Sequence, residues 1–570
     1  GDSGGFELDV RESLSAVLDA YRYMGMPVRR YLLVVLAPAL AFLLGTIGIS
    51  LALRPPLGVA LPLVALGSLS AFVAVVYPKV VRDRKRKQIR QRFHLFLTHL
   101  TVLSMTNIDR IEMFRRLASE EEYETLADEM GHLVALVDTW NQSLEDACRL
   151  RAKQVPSPLL SDFLERLAYV VGGGQQISEF LVDEQDSIIQ EFVIRYEGDL
   201  AKLDVMKELY LSLILSAVFT LVFAIVIPLL LGINPAMAIS AVIGMYAIVQ
   251  GGFVFAVHQV SPKDPVWFIA ETEGTGPLTT VRWVLVVGVL LTLVLLLGVL
   301  GIAVGVVPVD PDLLPLPIWV ALPLTPLLAP GLLMRREENR VKTRDGEFPS
   351  FVRALGAVES VKQSSTSNVL ASLRKKDFGA LTSNIDALYK RLRMRIDSMD
   401  SWRLFAAETG SYLIQKFGDM YVVGRRMGGE PRQLGQVIST NFNEVLRVRE
   451  QRRQATATFV GIVYGITAAS MFSAFIGLGI AEQMLTITAE IAEGNAQFVD
   501  SLFSTESYDI AMIEFLLLLV VLLNALLSSL MIRITDRGHF ISGFTHFVAL
   551  IWTGALVATG TRILVRGLIA

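Results

Sequence analysis

The stretch Pro78–Arg92 reads PKVVRDRKRKQIRQR, and it follows two apolar runs of the chain. Membrane proteins keep Lys and Arg on the cytoplasmic side of the bilayer, so this run predicts which face of the chain is inside. The residues that follow, Phe93–Leu100, have the pattern of an amphipathic helix. They open a long polar segment that ends only at the next apolar run.

The composition of the chain is that of a membrane protein. Of its 570 residues, 52% are hydrophobic and 19% are charged, and the mean hydropathy is +0.50. A soluble domain does not need so much apolar surface, whereas several transmembrane helices do. Cys148 is the single cysteine, so the sequence excludes an internal disulfide.

Nine apolar runs, each of about 20 residues, predict nine transmembrane helices and an all-α polytopic membrane protein with two repeated cytoplasmic helical domains. The nine predicted spans cover about 31–53, 57–77, 209–231, 236–257, 281–307, 313–334, 456–480, 510–532 and 543–564. The predicted organisation is an N-terminal cytoplasmic helix over 1–30, transmembrane helices 1 and 2 within 31–77, a first cytoplasmic helical domain over 78–208, transmembrane helices 3 and 4 within 209–257, a cytoplasmic loop over 258–280, transmembrane helices 5 and 6 within 281–334, a second cytoplasmic helical domain over 335–455, transmembrane helix 7 over 456–480, an acidic extracellular loop over 481–509, and transmembrane helices 8 and 9 within 510–570.

Charge along the chain agrees with this topology. With the N-terminus inside, the basic runs at 82–92, 335–344, 447–453 and 533–537 all fall on the cytoplasmic side. The segment 481–509 contains Glu and Asp but no Lys or Arg, and it falls outside. An even number of spans in each half keeps two copies of one unit in the same orientation, as parallel repeats require.

The chain contains an internal repeat. Three landmarks recur at a spacing of 255 residues: Phe93 with Phe348, Phe96 with Phe351, and Gly173-Gly174 with Gly428-Gly429. A glycine pair between helices suits a sharp turn, where positive φ or a close backbone approach is needed. The alternative is a plain inter-helix turn without function. In the first domain the helical patterns include one long run, predicted as a single helix over Tyr123–Arg151.

Sequence motifs for chemistry are missing. The sequence has no G-x-x-x-x-G-K-[ST] pattern, so no P-loop nucleotide site is expected, and it lacks H-E-x-x-H, Cys-x-x-Cys and G-x-S-x-G. The six His residues are scattered without metal-ligand spacing. We therefore expect no catalytic, metal or cofactor site, no nucleic-acid partner and no enzymatic activity.

Two repeated all-α cytoplasmic domains, each entered through Phe-x-x-Phe and closed by a late Gly-Gly turn before a membrane span, resemble the F-domain family. These are the inner-membrane platforms of type II secretion, type IV pili and archaella. The nine-span arrangement is most like the archaellum platform (FlaJ/ArlJ) branch. The resemblance implies a protein of the cytoplasmic membrane that couples a cytoplasmic hexameric secretion ATPase to insertion of pilin or archaellin subunits and, in archaella, to rotation. It also implies a homodimer.

Two basic clusters are candidates for contact with that ATPase or with membrane lipids. They consist of Arg82, Arg84, Lys85, Arg86 and Lys87, and of Arg335, Arg336 and Arg340. In the first interpretation they anchor the topology and touch lipid headgroups. In the second they also meet an acidic surface of the ATPase.

A carboxylate and an amide fall inside predicted span eight. Glu514 lies about one turn from its outer end, where snorkelling and a functional role are both open. Asn524 lies deeper, and we expect it to hydrogen-bond between helices. An alternative function is a secondary transporter built from two parallel membrane repeats. Spans one, two, five and six, however, hold essentially no polar residue near mid-membrane, which favours the platform.

Overall fold

The computed structural model describes residues 31–53, 57–231, 234–262, 264–268, 278–310, 313–363, 366–502 and 509–569. In these ranges the chain is built from helices, and its β structure is an isolated bridge between Trp267 and Ser411. The predicted all-α class is confirmed. The helix predicted within residues 1–30 lies outside the described residues.

Helices follow one another with short connections throughout these ranges. In chain order the α-helices are α1 Ala37–Leu53, α2 Leu57–Ser104, α3 Arg110–Ala118, α4 Thr125–Asp138, α5 Leu144–Ala152, α6 Pro158–Gly172, α7 Ile177–Leu231, α8 Pro235–Val260, α9 Leu278–Ala303, α10 Leu316–Ala321, α11 Leu328–Lys362, α12 Thr366–Leu373, α13 Thr382–Arg393, α14 Ser398–Thr409, α15 Tyr412–Arg426, α16 Pro431–Leu502, α17 Ile510–Asp536 and α18 Gly543–Ile569. A π-helical turn, Leu32–Leu36, precedes α1, and 3₁₀ turns lie at Glu121–Tyr123, Leu322–Leu327, Gly379–Leu381 and Phe540–Ser542.

Seven helices among the described residues are long and apolar enough to cross a membrane. They are Ile177–Pro228, Pro235–Val260, Thr279–Ala303, Leu316–Lys362, Pro431–Ile487, Ile510–Asp536 and Phe540–Gly567. Predicted spans three to nine each fall on one of them. Predicted span one falls on a shorter apolar helix, Leu33–Gly48, and predicted span two on the first part of α2.

Four long helices run across the predicted boundaries between membrane and cytoplasmic segments. They are α2 with 48 residues, α7 with 55, α11 with 35 and α16 with 72. A helix satisfies its own backbone hydrogen bonds, so it can leave lipid and enter water without a break when its side chains change from apolar all round to a one-sided stripe. The predicted boundaries at 77, 208, 334 and 455 therefore lie inside helices.

The predicted loop over 481–509 is corrected in the same way. Helix α16 continues through it to Leu502. Residues 481–502 contain Gly494 but no Pro, and they are rich in Ala, Glu, Leu and Gln, which are good helix formers. The extracellular position of this segment stays a prediction.

The chain divides into two compact units, residues 1–188 with 426–429 and residues 189–425 with 430–570. The first unit packs around the predicted Phe93 and Phe96, which are fully buried. Phe93 meets the edge of Phe163 at 5.5 Å between ring centroids, and Phe96 meets Tyr123 at 5.7 Å. Edge-to-face aromatic pairs of this kind hold α2 against the helices that follow it.

The single helix predicted over Tyr123–Arg151 is wrong. The structure has two helices, α4 and α5, separated by residues 139–143. Asn141 takes the left-handed conformation at φ 52°, which an asparagine tolerates at a helix end. Ser143 then caps α5, because its hydroxyl accepts a hydrogen bond from the backbone N–H of Asp146 at 3.1 Å.

The second cytoplasmic domain lies in the second unit and has a similar aromatic core. Phe348 lies 5.0 Å from Phe442, and Phe351 lies 5.6 Å from Phe378 and 6.1 Å from Phe405. All five rings are buried.

Both predicted cytoplasmic domains have the same order of elements. Each begins on a long helix, continues with a short helix, a 3₁₀ turn and three helices, and ends on a second long helix. Left-handed residues recur at a spacing of 254: Asn141 with Arg395, and Gly174 with Gly428. The predicted pairing of Gly173 with Gly428 is therefore wrong by one residue, since α6 ends at Gly172 and α15 at Arg426. Superposition of the two domains stays a prediction.

Candidate functional site

An ion-pair hub, formed by Asp264, Asp345, Arg449 and Arg452, joins the loop after α8 to α11 and α16 in the second unit. Arg449 donates to the two carboxylate oxygens of Asp264 at 2.7 Å each, and another of its nitrogens lies 3.2 Å from Asp345. Asp345 is 1% exposed and also accepts a hydrogen bond from Ser411. This bidentate pairing fixes the loop against α16.

Arg452 extends the hub to two further helices. Its guanidinium is buried and donates to the carbonyls of Thr535 at 2.8 Å and Pro262 at 2.9 Å, and to the hydroxyl of Tyr196 at 3.1 Å. Arg537 donates to the same Pro262 carbonyl at 3.0 Å. The middle of α7, the loop after α8 and the end of α17 are thereby tied to α16.

Burial sets the electrostatics of the hub. It raises the pKa of Asp345 to about 6, while Arg449 and Ser411 act in the opposite direction. Burial also lowers the pKa of Arg537 to about 10 and raises that of Tyr196 to about 12. Asp345 is therefore the hub carboxylate whose charge responds to mild acid.

A cavity of about 210 Å³ adjoins the hub. Its lining includes four carboxylates and four cations: Asp264, Asp345, Glu450 and Asp536, and Lys342, Arg449, Arg452 and Arg453. Because the two sets balance, the cavity has no excess charge to attract an ion. No group of His, Cys, Asp or Glu that could hold a metal occurs in the described ranges.

A network of amides and hydroxyls lies at membrane depth between α7, α8, α16 and α17. The amide nitrogen of Gln250, which is 2% exposed, lies 2.8 Å from the Tyr246 hydroxyl, 3.1 Å from Oδ1 of Asn524 and 3.2 Å from the Tyr210 hydroxyl. Asn524 donates to Thr467 at 2.9 Å. The inter-helix hydrogen bond predicted for Asn524 is confirmed.

An ion pair between α17 and α18 lies near the start of α17. Arg562 of α18 donates to both carboxylate oxygens of Glu514, at 2.6 and 2.7 Å, and Glu514 is 4% exposed. The position of this carboxylate in an apolar helix is explained by its pairing, because a paired charge is far less costly in a membrane than a single one.

The two predicted basic clusters lie on long helices. On α2, Arg84 and Lys87 are exposed, whereas Arg82, Lys85 and Arg86 are partly buried. The second cluster lies on the exposed side of α11 and consists of Arg335, Arg336 and Arg340. There Arg340 pairs with Glu337, and Arg335 lies 3.4 Å from Nε2 of His546.

Sequence reasoning missed a third basic surface, here called the basic edge, on the second cytoplasmic domain. It consists of the exposed side chains Arg374, Lys375, Lys376, Lys390, Arg393 and Arg395. Arg374 connects the segment after α12 to α13, since its guanidinium lies 3.5 Å from Asp386 and 4.8 Å from the ring centre of Tyr389. Met394, in the turn after α13, is 66% exposed beside these cations.

The first domain has the opposite charge at the corresponding place. The segment after α3 contains Glu120, Glu121 and Glu122, where the segment after α12 contains Arg374, Lys375 and Lys376. Trp140, in the turn after α4, is 72% exposed, and it corresponds to the exposed Met394 in the turn after α13. Comparing the two repeats at a spacing of 254 would have found this charge inversion in the sequence.

The predicted glycine pairs lie in the turns between α6 and α7 and between α15 and α16. Gly174 has φ +70° and Gly428 has φ +87°. A residue with a Cβ atom is strained in this conformation, so glycine fits both turns.

Comparison with known proteins finds a matching family model and similar proteins of other organisms. The family model described as Type II secretion system (T2SS), protein F matches residues 96–225. Flagella accessory protein J of Methanocaldococcus jannaschii is 33% identical over 559 residues, which cover 96% of this chain and 97% of that protein. Flagella accessory protein J of Methanococcus voltae is 32% identical over 518 residues, 90% of each chain. No solved structure matches the chain significantly.

Proposed function

The chain belongs to the flagella accessory protein J family of membrane platform proteins, and from this premise we propose that it couples a cytoplasmic secretion ATPase to filament assembly. In this proposal the ATPase is hexameric and drives insertion of pilin or archaellin subunits and rotation of the filament. The protein lies in the cytoplasmic membrane with its N-terminus inside, and it acts as a homodimer.

The ion-pair hub is the observation that carries the coupling role. Helices α11 and α16 belong both to the second cytoplasmic domain and to the predicted membrane spans. Arg449 of α16 holds the loop after α8 through partly buried hydrogen bonds, and Arg452 of α16 holds that loop, α7 and the end of α17 through buried ones. A force applied to the second cytoplasmic domain is therefore transmitted to several membrane helices at once.

The energy for this movement must come from another protein. The sequence has no P-loop, so we propose that the chain itself is not an enzyme and that the ATPase is a separate subunit. The contact is proposed to include the two predicted clusters, which are Arg82, Arg84, Lys85, Arg86 and Lys87, and Arg335, Arg336 and Arg340. The basic edge is the stronger candidate, because it surrounds an exposed apolar side chain, Met394, with cations. Interfaces combine an apolar centre with a polar rim in this way.

The experiment reverses four charges of the basic edge: Lys375→Glu, Lys376→Glu, Arg393→Glu and Arg395→Glu. Full-length protein is purified in detergent, and its affinity for a secretion ATPase of the same organism is measured at low and high salt. We expect binding to weaken roughly tenfold to a hundredfold at low salt, because each reversal replaces attraction by repulsion. The difference should shrink at about 1 M salt, where the Debye length falls to about 3 Å.

The matched control reverses the acidic segment of the first domain, Glu120→Lys with Glu121→Lys. This variant should bind the ATPase as wild type does. Unchanged affinity of the basic-edge variant, with normal membrane insertion, would contradict the contact. If Arg84→Glu with Lys85→Glu weakens binding instead, the ATPase contacts α2. If neither variant changes binding or assembly, coupling through these basic surfaces is refuted.

A further inference from the structure

Three arginines from three helices meet where α9 begins, α11 leaves the membrane and α17 ends. The helices are held together there by an apolar cluster of Val281, Met334 and Ile541. Arg282 follows Val281 directly, and Arg335 follows Met334 directly. The backbone positions of both arginines therefore adjoin the same apolar cluster.

The third arginine, Arg533, reaches this place from α17. Its guanidinium lies 5.6 Å from the ring centre of Phe540, in the 3₁₀ turn that contains Ile541 of the cluster. The Cβ of Arg533 lies 3.9 Å from where a side chain at Gly543 would begin, so α17 and the start of α18 are in close contact. Arg533 thus contacts the turn Phe540–Ser542 directly, and Arg282 and Arg335 follow the two residues that pack against Ile541 of this turn.

Each of these three arginines lacks an acidic partner, as some other cations among the described residues also do. No carboxylate lies within 4 Å of Arg282, Arg335 or Arg533 in the part of the chain that the structure describes. The nearby acids are already engaged: Glu337 with Arg340, Glu338 with the backbone N–H of His539, and Asp536 with Lys342. The Nε of Arg533 is buried without a hydrogen-bond partner. A buried donor of this kind is costly unless something accepts from it.

The two histidines beside the arginines do not supply negative charge. Arg335 can only donate, so Nε2 of a neutral His546 accepts from it at 3.4 Å, and Nδ1–H of His546 donates to the Tyr464 hydroxyl at 3.2 Å. Burial and the charges of Arg533 and Arg282 lower the pKa of His539. Three positive charges therefore face this place without compensation from the described side chains.

Aromatic side chains mark the same level as a membrane interface. Trp283, next to Arg282, is 73% exposed, and Phe540 is 58% exposed. Aromatic rings are enriched at the headgroup level of bilayers, and basic pockets between transmembrane helices on the cytoplasmic side bind anionic headgroups. A soluble protein partner does not require exposed tryptophan at the start of an apolar helix.

We propose that Arg282, Arg335 and Arg533 form a site for the phosphate of an anionic phospholipid headgroup. A guanidinium matches phosphate oxygens with paired N–H donors, and the buried Nε of Arg533 would donate to the same group. The lipid acyl chains would lie along α9, whose outer face is apolar and exposed at Val286, Leu290 and Leu297. The lipid site shares Arg335 with the second predicted basic cluster, but it uses none of the basic edge, which is the stronger candidate for the ATPase contact.

The test measures the stabilisation of purified full-length protein by added lipid. Phosphatidylglycerol is titrated into detergent-solubilised protein, and the midpoint of thermal unfolding is followed; phosphatidylcholine and inorganic phosphate are titrated in parallel. We expect a saturable rise with phosphatidylglycerol. Arg282→Gln combined with Arg335→Gln should weaken its apparent affinity on the order of tenfold, since two charge-assisted hydrogen-bond donors are lost. The matched control, Arg336→Gln with Arg340→Gln, removes two charges from the same region of α11 and should change the affinity less than about twofold.

Three outcomes would overturn the proposal. An equal response to phosphatidylcholine would exclude headgroup recognition. An equal shift with inorganic phosphate at the same concentration would assign the site to a free anion. Unchanged lipid affinity of the Arg282/Arg335 variant together with weaker ATPase binding would assign the arginines to a protein contact. If the double variant does not fold, Arg282→Gln alone is used, because Arg282 is exposed in the first turn of α9.

Discussion

Replacing Arg449 by methionine would test whether the ion-pair hub holds the cytoplasmic ends of the membrane helices. The change keeps an unbranched apolar side chain but removes every hydrogen bond to Asp264, Asp345 and the Pro265 carbonyl. Asp345, which is 1% exposed, would then be left without its cation, whereas Asp264 would keep Arg452 at 3.9 Å. Breaking one partner of a buried ion pair costs about 3–5 kcal/mol, because the remaining charge stays buried and uncompensated.

The loss can be separated from a general packing defect by a second substitution. Asp345→Asn in the Arg449→Met background removes the uncompensated charge, and its amide oxygen can still accept from Ser411. The double variant should therefore be more stable than Arg449→Met alone, since residues of one network are not additive. Arg453→Met is the matched control: its side chain is 61% exposed beside Glu450, and pairs of this kind contribute about 0–1 kcal/mol.

Unfolding is followed by the intrinsic fluorescence of the purified protein in detergent, with the ATPase coupling measured in parallel. We expect the melting temperature to fall by several degrees for Arg449→Met, to recover in part for the double variant and to change little for Arg453→Met. If the two substitutions at 449 and 345 are simply additive, the hub is not a coupled network. If Arg449→Met melts as wild type does but assembles no filaments, the hub serves coupling without contributing to stability.

Three further predictions concern other parts of the chain. Burial raises the pKa of Asp345 from 3.8 to about 6, so the folded protein favours the protonated carboxyl, whose contribution to stability is complete below about pH 4 and is lost as the pH rises to about 6. The melting temperature of wild type, relative to that of Asp345→Asn, should therefore fall over that range. Parallel curves of melting temperature against pH would refute the assignment. Glu514→Gln should lower thermal stability by leaving Arg562 unpaired near the membrane end, and adding Arg562→Met should restore part of it; equal melting of both variants would mean that the pair contributes nothing. Gly428→Ala should destabilise by roughly 1–2 kcal/mol because φ is +87°, whereas Gly198→Ala, in open space on α7, should stabilise slightly; equal effects at both positions would contradict the turn geometry.

Local sequence patterns predicted most of the architecture, but they could not predict contacts between residues that lie far apart in the sequence. Apolar runs of membrane length locate spans three to nine, because the thickness of the bilayer fixes helix length. Phe93 and Phe348 mark the entry to each domain and lie in the aromatic cores. The pairing of Asp264 with Arg449 joins residues 185 positions apart, and neither residue has a local pattern that points to the other.

Some local signals were present but were given the wrong weight. The break after α4 is indicated by Ser143, which stands three residues before Asp146 in the manner of a helix cap. The acids of 481–509 were used for topology, although the same residues favour a helix, and α16 continues through them to Leu502. The Glu514–Arg562 pair joins two spans that were considered separately. In each case the correct interpretation requires that two physical constraints be applied to the same residues.

The charge inversion between the two repeats limits what a symmetric partner can do. Two domains with the same order of helices could in principle present one surface twice to a ring of identical subunits. Glu120 and Glu121 follow α3 in the first domain, where Lys375 and Lys376 follow α12 in the second. A surface that attracts one of these edges repels the other, since like charges brought together across an interface cost several kcal/mol. We therefore expect the two domains to contact different partner surfaces, with the acidic one reserved for the second domain. Equally tight binding of one partner surface to the acidic edge of the first domain and to the basic edge of the second domain would contradict this division.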